Sequence, residues 1–207
     1  MKKVMFKLLA MGILLLTSSG VIFAADEAMM NKEAPMSPEQ QAMMERMKEY
    51  STPNQNHDVL KSLAGTWKTK VEFWMDPQGQ PEVSEGTSEA QMILDDHFLE
   101  QIYSGTVMGK PFEGRGIYGY DNIRKEYTGI WFDNMATGIM ISAGQYDAAT
   151  KTMKDEGNMS CPITNETHRW YRSVTTIADD DHYTYETFMK DKDGKEFRSM
   201  LISYTRA

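Results

Sequence analysis

The chain has a single cysteine, Cys161, in 207 residues, so no intramolecular disulfide can form, whatever the compartment. Cys161 reads as a buried free thiol, with an intermolecular bridge as the alternative. Catalytic signatures are missing as well: there is no G-x-S-x-G and no P-loop, and the one G-x-G-x-x-G, Gly114 to Gly119, falls inside an expected strand and not at the strand-to-helix turn that phosphate binding needs. Its four histidines, His57, His97, His168 and His182, fall at no H-x-H or H-x-x-x-H spacing, so no zinc site is expected. No catalytic residue is assigned, and the reading leans away from an enzyme. Beyond the first 25 residues no long apolar run occurs. The mean hydropathy of -0.53 and the 25% of charged residues argue against a polytopic membrane protein. Positive charge is scarce: 22 Lys and Arg face 30 Asp and Glu, a net charge of -8. Such a surface repels phosphate backbones, and nucleic acid is not an expected partner.

The first 25 residues read as a signal peptide and not as part of the fold. Lys2, Lys3 and Lys7 form a positive n-region, Leu8 to Leu16 a short apolar h-region, and Ala24 and Ala25 offer cleavage points. An uncleaved N-terminal anchor is the alternative. No cysteine follows the h-region, so no lipid anchor is expected, and cleavage would leave no stable membrane anchor. A periplasmic or secreted protein is the expectation. Losing those three lysines takes the formal charge from -8 to -11.

Residues 26–57 read as a flexible, Met-rich leader with no core of its own. Within it, Ser37-Pro38-Glu39-Gln40 predicts a helix over about 37–50: Ser37 as N-cap, Pro38 at N1 and Gln40 completing a capping box. Thr52-Pro53 ends it, and Asn54-Gln55-Asn56 reads as a polar linker. Asp58 is expected to cap a short turn, Val59 to Leu63, whose Leu60 and Leu63 sit against the mouth of a barrel built by the later residues. Six of the 18 methionines fall at Met29, Met30, Met36, Met43, Met44 and Met47. Met43, Met44 and Met47 lie within one helical turn, and thioethers are soft ligands, so Cu(I) handling is one reading. The favoured reading is an adaptable apolar stripe that docks on the barrel or on a partner.

From Thr66 the hydrophobic period becomes two. Trp67, Thr69, Val71, Phe73 and Met75 share one face, and Lys68, Lys70 and Glu72 the other. Nine more strands succeed this one: 82–94, 97–108, 111–120, 126–135, 138–146, 151–161, 167–178, 182–190 and 196–206. They are separated by turn chemistry such as Asp76-Pro77-Gln78-Gly79 and Asp191-Lys192-Asp193-Gly194. No crossover helix intervenes. Residues 58–207 therefore read as an all-β domain, an antiparallel up-and-down barrel of about ten strands preceded by one short helix. Closure is expected because an open meander leaves two exposed edges.

The tripeptide Gly65-Thr66-Trp67 resembles the G-x-W signature of lipocalins and the wider calycin superfamily. That resemblance implies that Trp67 plugs one barrel end and that a basic residue of the last strand, here Arg206, packs across it. A broader resemblance rests on Leu63-Ala64-Gly65-Thr66-Trp67, Phe73-Trp74-Met75-Asp76-Pro77, Gly119-Tyr120-Asp121-Asn122, Trp131-Phe132-Asp133-Asn134-Met135 and Asp193-Gly194-Lys195-Glu196-Phe197. These stretches look like a bacterial secreted domain-of-unknown-function family, number fifteen-seventy-nine. The family implies a calycin-like barrel and brings no catalytic residues. Haem barrels of the nitrobindin type share the opening, but Lys68-Thr69-Lys70 replaces their Gly-rich continuation. Haem is thus a disfavoured cofactor, with His168 and His182 as loose candidates for its ligand.

Polar residues in phase with apolar ones are the candidate site. Arg172 is in phase with Trp170 and Val174, Glu186 with Phe188, and Asp133 with Trp131 and Met135. If that face is internal, the charges must pair or meet a ligand; if external, they form ordinary cross-strand pairs. Trp131, Asp133, Asn134, Arg172 and Glu186 are accordingly the candidate ligand-binding residues. Asp133 and Asn134 have a second reading, in which they satisfy their own turn. The alternating glycines of Gly114-Arg115-Gly116-Ile117-Tyr118-Gly119 are expected to let a strand bend. The leading expectation is an exported, non-catalytic barrel that binds one small apolar or amphipathic ligand. The alternatives are a filled, structural barrel whose helix docks on a partner, and periplasmic Cu(I) handling.

Overall fold

The computed structural model describes residues 36–207. The expected signal peptide and most of the expected leader's unstructured start, residues 26–35, lie outside the described residues. Helix α1 (Pro38–Ser51) begins as its sequence dictates. Ser37 Oγ accepts from the Gln40 backbone N–H at 3.2 Å, while Gln40 Oε1 accepts from the Ser37 N–H at 2.8 Å. None of its residues is buried. Among the described residues the Met43, Met44 and Met47 stripe is exposed and does not dock on the barrel.

A second helix, α2 (Gln55–Ser62), replaces the linker and single turn expected at 54–63. Its N-cap is Asn54, not Asp58. The Asn54 carboxamide accepts from the Asn56 N–H at 2.9 Å, and His57 Nδ1 accepts from the Asn54 N–H at 3.1 Å. An imidazole thus fills the place that Glu or Gln usually takes in a capping box. Asn122 joins both helices to the domain. Its amide donates to the carbonyls of Glu49 and Thr52, both at 2.9 Å, and its Oδ1 accepts from Asn54 Nδ2 at 2.6 Å.

Ten strands complete the chain: β1 (Gly65–Phe73), β2 (Glu82–Ile93), β3 (Phe98–Val107), β4 (Lys110–Asp121), β5 (Glu126–Asp133), β6 (Met140–Asp147), β7 (Thr152–Cys161), β8 (Glu166–Ile177), β9 (His182–Lys190) and β10 (Glu196–Arg206). Each pairs antiparallel with its neighbour in sequence, and β1 pairs with β10 from Trp67↔Arg206 to Phe73↔Met200, so the barrel is closed. In β1, Trp67 and Thr69 are buried while Lys68 and Lys70 are exposed, as the period of two requires. Met75 does not share their fate. The strand ends at Phe73, and Met75 stands exposed beside the turn in which Asp76 Oδ1 accepts from the Gln78 N–H. Between β5 and β6 the link is longer than expected. Asp133 Oδ1 takes the Met135 N–H at 2.9 Å, and this Asx turn ends the pairing early. Among the described residues no helix is long and apolar enough to cross a membrane.

One end of the barrel is sealed. Leu60 of α2 and Leu63, the residue that caps its C-terminus, press onto Trp67, which is 1% exposed. The indole N–H donates to the Leu63 carbonyl at 3.0 Å, so the plug also satisfies a helix C-terminus. Tyr183 meets the indole edge-on at 4.8 Å and stacks on Tyr204 at 4.0 Å. From outside, the Arg206 guanidinium covers the ring at 4.1 Å and donates to the carbonyls of Ala64 and Asp180. Gly65 is required twice over: its φ is +139°, and a Cβ there would lie 2.3 Å from Arg206 Nη1. Trp67→Ala is expected to cost about 3–5 kcal/mol. Urea denaturation measures it, and a near-neutral value would remove Trp67 from its role as the plug.

Candidate ligand-binding cavity

Inside the barrel lies a cavity of about 350 Å³, closed below by the Trp67 end and reaching the opposite mouth. The barrel is therefore hollow, not filled. Strand alternation builds its wall. The mouth carries Phe73, Phe112, Trp131, Met140, Met189 and Met200, and the waist carries Tyr103, Tyr118, Tyr171 and Tyr185. The rings lie flat against the sheet because glycines face them. A Cβ on Gly114 would stand 2.2 Å from Trp131 Cζ2, and one on Gly116 would stand 2.6 Å from Tyr118 Cε2. Bending of β4 is the role expected of these glycines. What they provide is room for aromatic rings that shape the cavity.

The sequence-derived candidates separate into three groups. Trp131 and Asp133 line the cavity at its mouth, where Trp131 Nε1 donates to Asp133 Oδ2 at 3.0 Å. Asn134 faces away: its Oδ1 accepts from the Glu113 N–H at 3.2 Å and its amide donates to the Pro111 carbonyl, fastening the β4 hairpin edge. Arg172 and Glu186 stand on the outer wall, which corrects the internal placement entertained for them. In β8 the inward phase belongs to Tyr171, Ser173 and Thr175, and Arg172 points out to pair with Glu196 while lying 4.1 Å over the Phe188 ring. Glu186 pairs with Arg198 at 2.9 Å on the same outer surface. Outside, both charges keep water and a partner, which the apolar interior would deny them.

The haem candidates do not reach the interior either. His168 is exposed, and His182 bonds Asp179 at the sealed end, at 2.9 Å. No histidine lines the cavity, so the residues present do not fit a haem held by an axial imidazole. Cys161 is free and buried.

Asp155 is the interior residue that the sequence reading passed over. It sits on β7 in phase with Met153, Gly157 and Met159, opposite Gly144 of β6 and Ser173 of β8. Its phase with apolar residues was the available signal, the same one that singled out Asp133. Burial pushes its carboxyl above the usual carboxylate range, against a smaller downward pull from the Ser173 and Ser142 hydroxyls. The phenols of Tyr118, Tyr185 and Tyr204 are likewise pushed up by burial. Among the described residues three carboxylates, Glu82, Asp133 and Asp155, border the cavity, and no Lys, Arg or His does. Arg169, in phase with Tyr171 near the mouth, is held by Glu166 at 3.2 Å, Thr164 and the Lys190 carbonyl.

The architecture defines a class: a closed antiparallel up-and-down barrel of ten strands with one plugged end and a hollow interior. The chain belongs to the family described as "Protein of unknown function (DUF1579)", whose model matches residues 52–206. Among solved structures it is similar to Rv2717c from M. tuberculosis, at 15% identity over 75% of this chain and 99% of that one, with a TM-score of 0.55. It is also similar to the S-type phycobiliprotein lyase CPES from Guillardia theta, at 10% identity over 78% of this chain and 96% of that one, with a TM-score of 0.51. At such identities the likeness shows the shared barrel. No curated protein matches the chain.

This geometry sets the outcome of two substitutions. Gly116→Ala forces the Tyr118 ring off the wall and should destabilise the fold by about 1–3 kcal/mol, read by thermal or urea unfolding. Asp155→Asn should stabilise the empty barrel at neutral pH. A carboxyl whose folded pKa is raised loses stability as pH climbs through that pKa, and the amide has no such loss. The gap between variant and wild type should narrow as pH falls and vanish below the ordinary carboxylate value of 3.8. A pH-independent gap would contradict a raised pKa at Asp155.

Proposed function

We propose that the protein is an exported, non-catalytic carrier that holds one small apolar or amphipathic ligand inside its barrel. The observation that carries this reading is the cavity of about 350 Å³, walled by aromatic and thioether side chains and reaching one mouth. Cavities of about 300–1,000 Å³ lined in this way, with a few convergent polar groups, suit small-molecule binding. Export is supported by the first 25 residues, with their three lysines, short apolar run and Ala24-Ala25. The periplasm is the expected destination. A hollow interior favours the carrier over a purely structural barrel.

The neutral dye N-phenyl-1-naphthylamine tests the carrier reading. It should brighten on one-to-one binding to the purified chain, and Ser84→Trp, which fills space on the inner wall, should abolish the signal while the fold is kept. Native mass spectrometry of protein isolated from its own compartment should show a co-purifying small molecule. Repeated absence of both signals rejects the carrier. Fractionation with N-terminal sequencing tests export: a periplasmic chain starting at Ala25 or Asp26 is expected, and an intact Met1 in the cytoplasm rejects it.

A further inference from the structure

Asp155 is a charge-bearing side chain placed where no cation among the described residues neutralises it. The ion pairs among the described residues all lie on the outer surface or at the barrel rims, and none includes Asp155. A merely apolar pocket gains nothing from such a group, because a buried carboxylate without a cationic partner is costly. Two further hydroxyls on the same wall, both beside Tyr185 and one beside Asp155, are poorly matched. Ser173 Oγ, on a residue with 0% exposure, and Thr187 Oγ1, on one with 3%, make no well-formed hydrogen bond. Ser173 is the cross-strand neighbour of Asp155, near enough to pull on its proton, and Thr187 lines the same cavity. Buried hydroxyls without good partners are uncommon, and here they stand in one cross-strand row with the carboxylate, Asp155 beside Ser173 and Ser173 beside Thr187.

The remaining surroundings are aromatic. Tyr118 of β4, Tyr171 of β8 and Tyr185 of β9 are close enough to Asp155 to feel its charge. Ring faces attract cations, and desolvation strengthens that attraction. A carboxylate offers acceptor sites only, and the poorly matched hydroxyls beside it add more. The set is complementary to a group that donates several hydrogen bonds and carries positive charge. An anionic ligand would meet Glu82 and Asp133 at the mouth and Asp155 at the waist, with no cation lining the cavity to offset them.

We infer that the cavity selects an organic cation: a small aromatic or aliphatic body bearing a protonated amine, seated with its nitrogen on Asp155 among the waist tyrosines. This assignment rests on the carrier reading and gives it a substrate class. A fatty acid or other apolar anion is the ligand it excludes. A bare metal ion fits less well, since no group of three or more metal-holding His, Cys, Asp or Glu side chains occurs among the described residues.

Isothermal titration of the full exported chain with three probes of one shape tests it: 2-naphthylmethylamine, 2-naphthylmethanol and 2-naphthoate at pH 7.5. The amine should bind at least about tenfold tighter than the alcohol, as a charge-assisted hydrogen bond in a dry site allows, with the carboxylate weakest. Asp155→Asn should bring the amine to the level of the alcohol and leave the alcohol where it was. The preference of the unaltered chain is read whether or not that variant folds. Equal binding of amine and alcohol overturns the cation assignment while leaving the carrier standing. So does loss of the preference in Asp133→Asn or Glu82→Gln with its retention in Asp155→Asn. If none of the three probes binds, and the neutral dye does not bind either, the carrier itself fails and the assignment falls with it.

Discussion

Closure of β1 onto β10 is the constraint on which the rest of the molecule depends. Nine hairpin links bring neighbouring strands together locally, but this pairing joins residues from opposite ends of the domain and bears the larger loop-closure cost. The Trp67–Arg206 contact lies at one end of that seam. The indole fills the barrel's narrow end, its N–H terminates α2, and the guanidinium covers it while gripping the carbonyls of Ala64 and Asp180. One residue pair thus joins the helix, the first strand, the last strand and the β8–β9 turn. Without the seam, two long edges with unpaired backbone groups would be open to other chains.

Glycine and tyrosine divide the work inside the wall. A closed barrel of ten strands has a lumen too wide for aliphatic side chains alone to fill and too narrow for rings to project freely. Flattening Trp131 against Gly114 and Tyr118 against Gly116 leaves space at the centre while keeping the lining aromatic. The hollow is thus a product of specific small-to-large pairings, Gly116 with Tyr118 along β4 and Gly114 with Trp131 across to β5, and it does not result from poor packing.

Much of the architecture is legible in the sequence. Period-two alternation and Asp- and Gly-rich turns place all ten strands, and β9 and β10 run over the expected residues. Local cues fall short where tertiary partners decide. Helix α2 starts at Asn54 because His57 and Asn122 complete its cap, and neither is part of a usual helix signal. The site is harder to read. Alternation gives the phase of a strand but not which phase faces in, so Arg172 and Glu186 group correctly with their neighbours and yet belong to the opposite side of the wall. Asp155 is hidden by composition. Lys154, Glu156 and Asn158 make β7 read as a polar strand throughout, and its inward phase is marked only by two methionines, a glycine and Cys161.

The rim of the open end has a kinetic meaning. The wall is a continuous hydrogen-bonded sheet and the opposite end is plugged, so a molecule inside leaves past the mouth, where Met140, Met159, Met189 and Met200 stand. Thioether side chains turn about three soft bonds and change rotamer without disturbing the backbone. Passage through such a ring requires side-chain rearrangement and no separation of strands. For any molecule the barrel holds, residence time is thereby uncoupled from stability: the seam and plug that make the fold durable would not have to yield for it to exchange.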